Sequence, residues 1–454
     1  MYQDTKYNFY KLSFFLLVLF SHCLAHTKSI SVINNAKLEE QIVFENCNYI
    51  ISDSIDLRGS TLCIPANCNL IFKANGCFYN GTIIGQLSAI RAKKQCILKS
   101  IKVLGSWIHK RVYGEWVGLT EKNFDNISKF KALTALCNGP TLIHLYTGKG
   151  LYFTSAISGS APIVLPSNIY WHNKATIQLL PCVFSKYNLV LISKVYNVQI
   201  EGGIFIGDID GHKGAYGEWG HGIKLGGATN ISLKNITCMK FWGDGIDIIE
   251  GIDDSGEATI NCDKVQIDHV KCLYNRRQGL SIEAGSNIRI SNSEFAHTGA
   301  ISNTDPSSGL VIEPWCNNRD KIWNITIERC NIHDNKGSDF VCLANWLKKN
   351  DYFKLFNNIR ISNSVIGKVR IYHTNGISIN KTKISLMNVR HSKDISVGRS
   401  HIVKFLNDGS VRNLKFTDCT GDIEKKNFSI ILPISGFVST IFAFGLYRYY
   451  RHCT

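Results

Sequence analysis

Proline and methionine are scarce in this chain, at 8 and 3 of 454 residues, against 37 glycines and many Asn, Ile, Ser and Thr. Apolar residues recur with a period of two rather than 3.6, so a helical bundle and a coiled coil are excluded. Charged residues make up only 19% while hydrophobic residues reach 44%, which excludes a disordered chain. No Cys-x-x-Cys pair and no cysteine–histidine group at zinc spacing occurs among the 16 cysteines. Cys238, Cys272 and Cys330 instead fall where strands want small apolar residues. Acidic residues are outnumbered, 35 to 51, giving a formal net charge of +16. Runs of Lys and Arg interleaved with aromatics are missing, so nucleic acid is not an expected partner.

Long apolar runs are confined to the ends. Lys6 and Lys11 precede an uncharged run from Leu12 to Leu24, the order of a secretory signal over residues 1–25. Phe428 to Tyr447 holds no charge and is followed by Arg448 and Arg451, long enough to span a bilayer with a basic tail behind it. Setting aside 1–25 (net +1) and 428–454 (net +2) leaves +13 for the body. An exported, monomeric body with that excess suits an acidic polysaccharide or an anionic surface.

What fills the body is a repeat. Asn230-Ile-Ser-Leu, Asn287-Ile-Arg-Ile, Asn324-Ile-Thr-Ile and Asn358-Ile-Arg-Ile are short alternating strands opened by a turn-forming asparagine. A second series opens with glycine: Gly222-Ile-Lys-Leu, Gly245-Ile-Asp-Ile, Gly279-Leu-Ser-Ile and Gly309-Leu-Val-Ile, spaced 23, 34 and 30 residues apart. A fixed order of short strands at such spacing predicts an all-β solenoid, a parallel β-helix with coils stacked ~4.8 Å apart.

On these phrases the chain resembles the right-handed β-helix proteins of the pectate-lyase and polygalacturonase superfamily, and among them the exported members of gut Bacteroidetes. Tyr113-Gly-Glu-Trp-Val-Gly118 followed by Phe124 to Leu136 is similar to the family's Trp-containing turn and short capping helix. The resemblance implies a β-rich N-terminal region over 26–112 and a right-handed parallel β-helix over 113–425. Trp242-Gly-Asp-Gly-Ile-Asp-Ile248 is similar to the polygalacturonase phrase Asn-Thr-Asp-Gly-x-Asp, which implies catalytic carboxyls at Asp244 and Asp247. The next coil departs from that family: Arg276-Arg-Gln-Gly279 stands where paired aspartates belong, and Ser307-Ser-Gly309 replaces Gly-His-Gly.

Stacking the glycines in one sheet turns Ile223, Ile246, Leu280 and Leu310 inward. Lys224, Asp247, Ser281 and Val311 then form one outer column and Gly226, Ile249, Glu283 and Glu313 another. The catalytic candidates are therefore Asp244, Asp247, Glu283, Glu313 and Arg277. His221, Lys224, Gln278, Trp219, Trp242 and Trp315 are candidates for holding substrate, above a glycine column expected to form a bare floor. Two carboxyls, one protonated and one ionised, suit glycoside hydrolysis. A lyase on uronic acids needs a cation and a base, with Asp244, Asp247 and Glu283 able to hold Ca²⁺ and Arg277, Lys224 or His221 as neutraliser or base. The degraded motifs and the C-terminal apolar run leave a third expectation, a non-catalytic, envelope-anchored, glycan-binding or adhesin-like solenoid. Gly207-Asp-Ile-Asp-Gly-His212 has part of a calcium loop's spelling without its closing Glu, and is expected to be a loop over the groove.

Overall fold

The computed structural model describes residues 28–32, 38–121, 124–252, 259–314, 322–344 and 355–425. The expected signal at 1–25, the apolar run at 428–447 and Trp315 lie outside these residues. Among the described residues, no helix is long and apolar enough to cross a membrane.

Every sheet that builds the body is parallel. A seven-stranded sheet near the N-terminus gathers Ser29–Val32, Asn48–Ile51 and Asn69–Phe72 with shorter strands around the long Cys77–Arg91 and Leu98–Trp107. Beyond it the chain winds in coils that feed a 12-stranded and an 18-stranded sheet. One coil illustrates the path. Thr229–Lys234 joins the 12-stranded sheet, whereas Thr237–Met239 and, after a turn, Ile246–Ile249 join the other. The chain is a parallel β-helix. Its helix, Ile127–Ala135, lies within the expected 124–136 and buries Phe130 and Leu133 near the junction of the two regions.

The expected register holds. Ile223 pairs with Ile246, Ile246 with Leu280, Leu280 with Leu310 and Leu310 with Phe340. All five are completely buried. Each such side chain contributes about 1.5–3 kcal/mol of transfer free energy, and a slip of one residue would forfeit the whole ladder. In the other sheet Ile231, Val265, Ile288, Ile325 and Ile359 form the equivalent stack.

The corners explain the asparagines. Asn197, Asn230, Asn287, Asn324 and Asn358 all have φ between +54° and +59°, a left-handed conformation that asparagine tolerates. Their amides form a ladder: Asn230 Nδ2 donates to Asn197 Oδ1 at 2.7 Å, Asn324 to Asn287 at 3.1 Å, and Asn358 to Asn324 at 2.7 Å. Where Lys264 takes the left-handed corner, Asn287 Nδ2 donates instead to Asp263 Oδ1 at 2.7 Å.

The buried cysteines, Cys238, Cys272 and Cys330 among them, behave as small apolar residues. Cys238 and Cys272 pair side by side in the interior, and no disulfide forms among the described residues.

Candidate functional site

Four successive strands carry the site: Trp219–Gly226, Ile246–Ile249, Gln278–Ile282 and Ser308–Ile312. Lys224, Asp247, Ser281 and Val311 sit side by side on them. They do not face open solvent, in contrast to the expectation from alternation alone. Asp247 is 2% exposed and Ser281 and Val311 are fully covered. Lys224 and His221 close over Asp247.

The glycine floor also needs correction. A Cβ on Gly245 would lie 2.7 Å from the Gly279 carbonyl oxygen and 3.1 Å from the Cys272 side chain. One on Gly222 would meet the Gly245 oxygen at 2.4 Å and the buried Phe241 ring at 2.7 Å. These glycines are required by close coil-to-coil packing at a corner, not by a ligand.

What gathers over the column is a desolvated charge network. Lys224 Nζ lies 2.7 Å from Asp247 Oδ2. Arg277 reaches Asp244 Oδ2 at 2.9 Å, Glu313 Oε1 at 3.3 Å and Glu218 Oε2 at 3.8 Å. Gln278 Nε2 donates to Glu313 Oε1 at 2.7 Å. His221 lies between the two aspartates, with Nδ1 3.4 Å from Asp244 Oδ2 and Nε2 3.7 Å from Asp247 Oδ2. The Asp244 backbone N–H donates to His221 Nδ1 at 3.1 Å, so the neutral imidazole carries its proton on Nε2, toward Asp247.

Electrostatics separates the two aspartates. Burial, only partly opposed by Arg277, pushes the Asp244 carboxyl up to about 8, with Asp247 and Glu313 adding to the rise. Burial acts the same way on Asp247, but Lys224 and His221 outweigh it and hold that carboxyl below its ordinary range. Burial also pushes His221 down to about 3, so it is neutral at physiological pH, and burial with Asp247 raises Glu283 well above normal. Lys224 is held charged: burial opposes its charge, and Asp247 more than restores it. Two carboxyls three residues apart thus have opposite protonation states at neutral pH. Asp244 Oδ1, Asp247 Oδ1, Gln278 Oε1 and Ser281 Oγ are buried without a hydrogen-bond partner. Each such atom costs about 1–3 kcal/mol, which a hydroxyl-rich ligand or water would offset.

Calcium fits this arrangement poorly. Lys224 already occupies Asp247 and Arg277 occupies Asp244, so a cation bound by Asp244, Asp247 and Glu283 would have to displace them. Of the aromatic candidates, Trp219 is exposed at the rim. Trp242 is not a platform for sugar: its ring is stacked on His212 at 3.9 Å and covered by the Arg276 guanidinium at 3.9 Å.

Sequence reasoning missed Glu218 and Arg276. Nothing in the strand pattern singles them out, because both lie in turn segments ahead of the glycine-led strands. The 207–212 loop likewise proves to be a latch. Asp208 Oδ2 accepts from the Cys182 N–H at 3.0 Å and lies 2.8 Å from His212 Nδ1, while Oδ1 accepts from the Tyr187 hydroxyl. Cys182, Asp208 and His212 are the only such group near enough to share a metal ion among the described residues. The carboxylate's engagement by three protein donors fits a structural hub that seats His212 on Trp242.

No protein-family model matches the chain. A protein of Bacillus subtilis strain 168, the uncharacterized YclG, is 25% identical over 181 residues, covering 36% of this chain, and the chain spans about a third (31%) of that protein's length. Among solved structures, the A-module of the Azotobacter vinelandii mannuronan C-5 epimerase AlgE4 aligns with 71% of this chain and all of its own, at 12% identity and a TM-score of 0.47. The Yersinia enterocolitica family 28 exopolygalacturonase covers 87% of this chain and 78% of its own, at 10% and 0.37. PfbA, a surface adhesin of Streptococcus pneumoniae, covers 68% and 91%, at 13% and 0.44. The β-helix assignment rests on this chain's own strand pairing, and its chemistry on its own site.

Proposed function

We propose that this is an exported carbohydrate-active enzyme that hydrolyses glycosidic bonds of an acidic polysaccharide. The observation that carries the reading is the pair of buried carboxyls flanking one imidazole, Asp244 pushed up to about 8 and Asp247 held low. Asp244 would protonate the departing glycosidic oxygen, and Asp247, kept ionised by Lys224, would take a proton from the attacking water. Arg277 orients Asp244, and the basic body supplies positive charge for an acidic sugar. Hydrolysis is preferred over elimination because both cations a lyase would use are already paired with the carboxylates. An epimerase and a polygalacturonase among the similar folds are consistent with a carbohydrate ligand.

One observation favours a second reading, a glycan-binding solenoid without turnover: Asp244 has no exposed surface and its neighbours are cross-paired. An adhesin also stands among the similar folds. Incubation with a panel of acidic and neutral polysaccharides, read by reducing ends and by absorbance of unsaturated products, tests both. New reducing ends without unsaturated products, lost in Asp244→Asn, support hydrolysis. Unsaturated products would replace it with elimination, and glycan binding with no product at high enzyme would leave the binding solenoid.

A further inference from the structure

The outer column that carries Asp247 continues past the acidic cluster. Strand pairing runs it from Asp247 through Ser281, Val311 and Val341 to Arg370, four coils on. In the neighbouring column Leu343 pairs with Tyr372, and Tyr372 with Arg390. At one coil per strand spacing, Arg370 lies ~19 Å from Asp247 along the helix axis. The character of the face changes over that distance. Residues 355–425 hold 12 Lys and Arg against 5 Asp and Glu.

The cations there are exposed and organised. The Arg370 and Arg390 guanidiniums sit 5.7 and 5.5 Å from the centre of the Tyr372 ring, so one aromatic side chain holds two cations on the face of the sheet. Lys368 and Lys404 are exposed on the same strand as Arg370 and two coils beyond it. Among the described residues, the carboxylate that pairs with these cations is Asp408, 4.0 Å from Arg390 Nε and 3.9 Å from His391. Among the described residues, Arg370, Lys368 and Lys404 have no ion-pair partner. This contrasts with the site, where Lys224 and Arg277 are both committed to carboxylates.

We propose that Arg370, Tyr372 and Arg390 form a distal subsite that grips the carboxylates of a polyuronate lying along the helix axis, several sugar residues from the Asp244–Asp247 pair. Planar guanidiniums take carboxylates in a forked pair of hydrogen bonds, which selects a uronic acid over a neutral sugar. The acidic cluster alone would repel such a chain, and the subsite supplies the attraction that holds it across the site. The inference deepens the proposed function and uses its substrate class, but it concerns binding and is tested by binding.

The test is titration of the full chain with alginate and with polygalacturonate, against dextran as a neutral polymer and duplex DNA as a competitor, at about 0.1 M salt. Wild type should bind at least one polyuronate and not dextran. Arg370→Gln/Arg390→Gln should weaken that binding by about tenfold with an unchanged melting temperature, since both side chains are exposed. Arg370→Lys/Arg390→Lys keeps the charge without the fork and should recover only part of the loss. Wild type that binds a polyuronate and releases no product from it would remove hydrolysis and leave the subsite standing. Equal binding by the Gln variant, equal binding of dextran, binding of neither polyuronate, or DNA competing as well as the polyuronate would overturn the subsite whatever the catalytic result.

Discussion

The two large sheets of the β-helix use the same interior grammar and differ in the exteriors of their central strands. In the 12-stranded sheet, Asp263–Asp268 and Thr229–Lys234 alternate buried apolar residues with polar residues open to solvent. In the 18-stranded sheet, Gln278–Ile282 and Ser308–Ile312 are buried at every position. Inward alternation therefore builds the coil in both sheets, while only the central strands of the 18-stranded sheet have their outer surface withdrawn from water; its later strands, such as Val365–Tyr372 and Lys383–Arg390, are open again. That withdrawal pushes the Asp244 carboxyl up and the His221 imidazole down, while Lys224 and His221 hold Asp247 low against the same burial.

The comparison breaks most visibly in the interior. Ile248→Asp places an unpaired carboxylate inside the coil and should cost about 4 kcal/mol or more, so that the purified variant shows no cooperative melt. Gln266→Asp, on the open face of the other sheet, should melt with wild type. Next come the exteriors themselves. Arg277→Ala leaves buried Asp244 without its donor and Glu313 without its cation, and should cost about 3 kcal/mol or more in denaturant unfolding. Arg289→Ala, whose side chain is 58% exposed beside Glu328, should leave the midpoint essentially unmoved.

A smaller effect comes from pH, and its direction follows from the shifts. Asp244 and Glu283 hold protons more tightly folded than unfolded, so their stabilisation is present at low pH and is lost as pH rises, for Asp244 through about 8. His221, pushed down to about 3, acts oppositely: its contribution is complete above its unfolded value of about 6.5 and is lost as pH falls. Between about pH 6.5 and 8 only the loss remains, so the melting temperature should fall across that window. Asp244→Asn should flatten the decline, and an equally steep decline in that variant would separate it from Asp244. The smallest expected effect lies at the corners, where Asn230→Ala at φ +57° should cost about 1–2 kcal/mol and Asn230→Gly much less.

These contrasts also mark what was legible in the sequence. The Ile and Leu ladder admits only one register with an apolar interior, so the pairing of Lys224, Asp247 and Ser281 follows from local pattern. The asparagine corners were legible because left-handed turns restrict residue type. Burial of the outer column was not, because strand alternation sets which way a side chain points and not what other coils lay over it. The inward packing of Gly222 and Gly245 was hidden for a related reason: strand alternation stops applying at a corner. Trp242 was misread as a sugar platform because its covering groups, His212 and Arg276, lie about 30 residues away on either side and meet it only through the winding of the chain.

The central claim is the split protonation of Asp244 and Asp247, and carbon-13 NMR of their labelled carboxyls reads it without needing a substrate. Titrated from pH 4 to 9, with Asp244→Asn and Asp247→Asn assigning the resonances, Asp244 should lose its proton near pH 8 while Asp247 stays ionised throughout. An Asp244 resonance that titrates near pH 4 alongside Asp247 would contradict the account and remove the general acid from the proposed reaction.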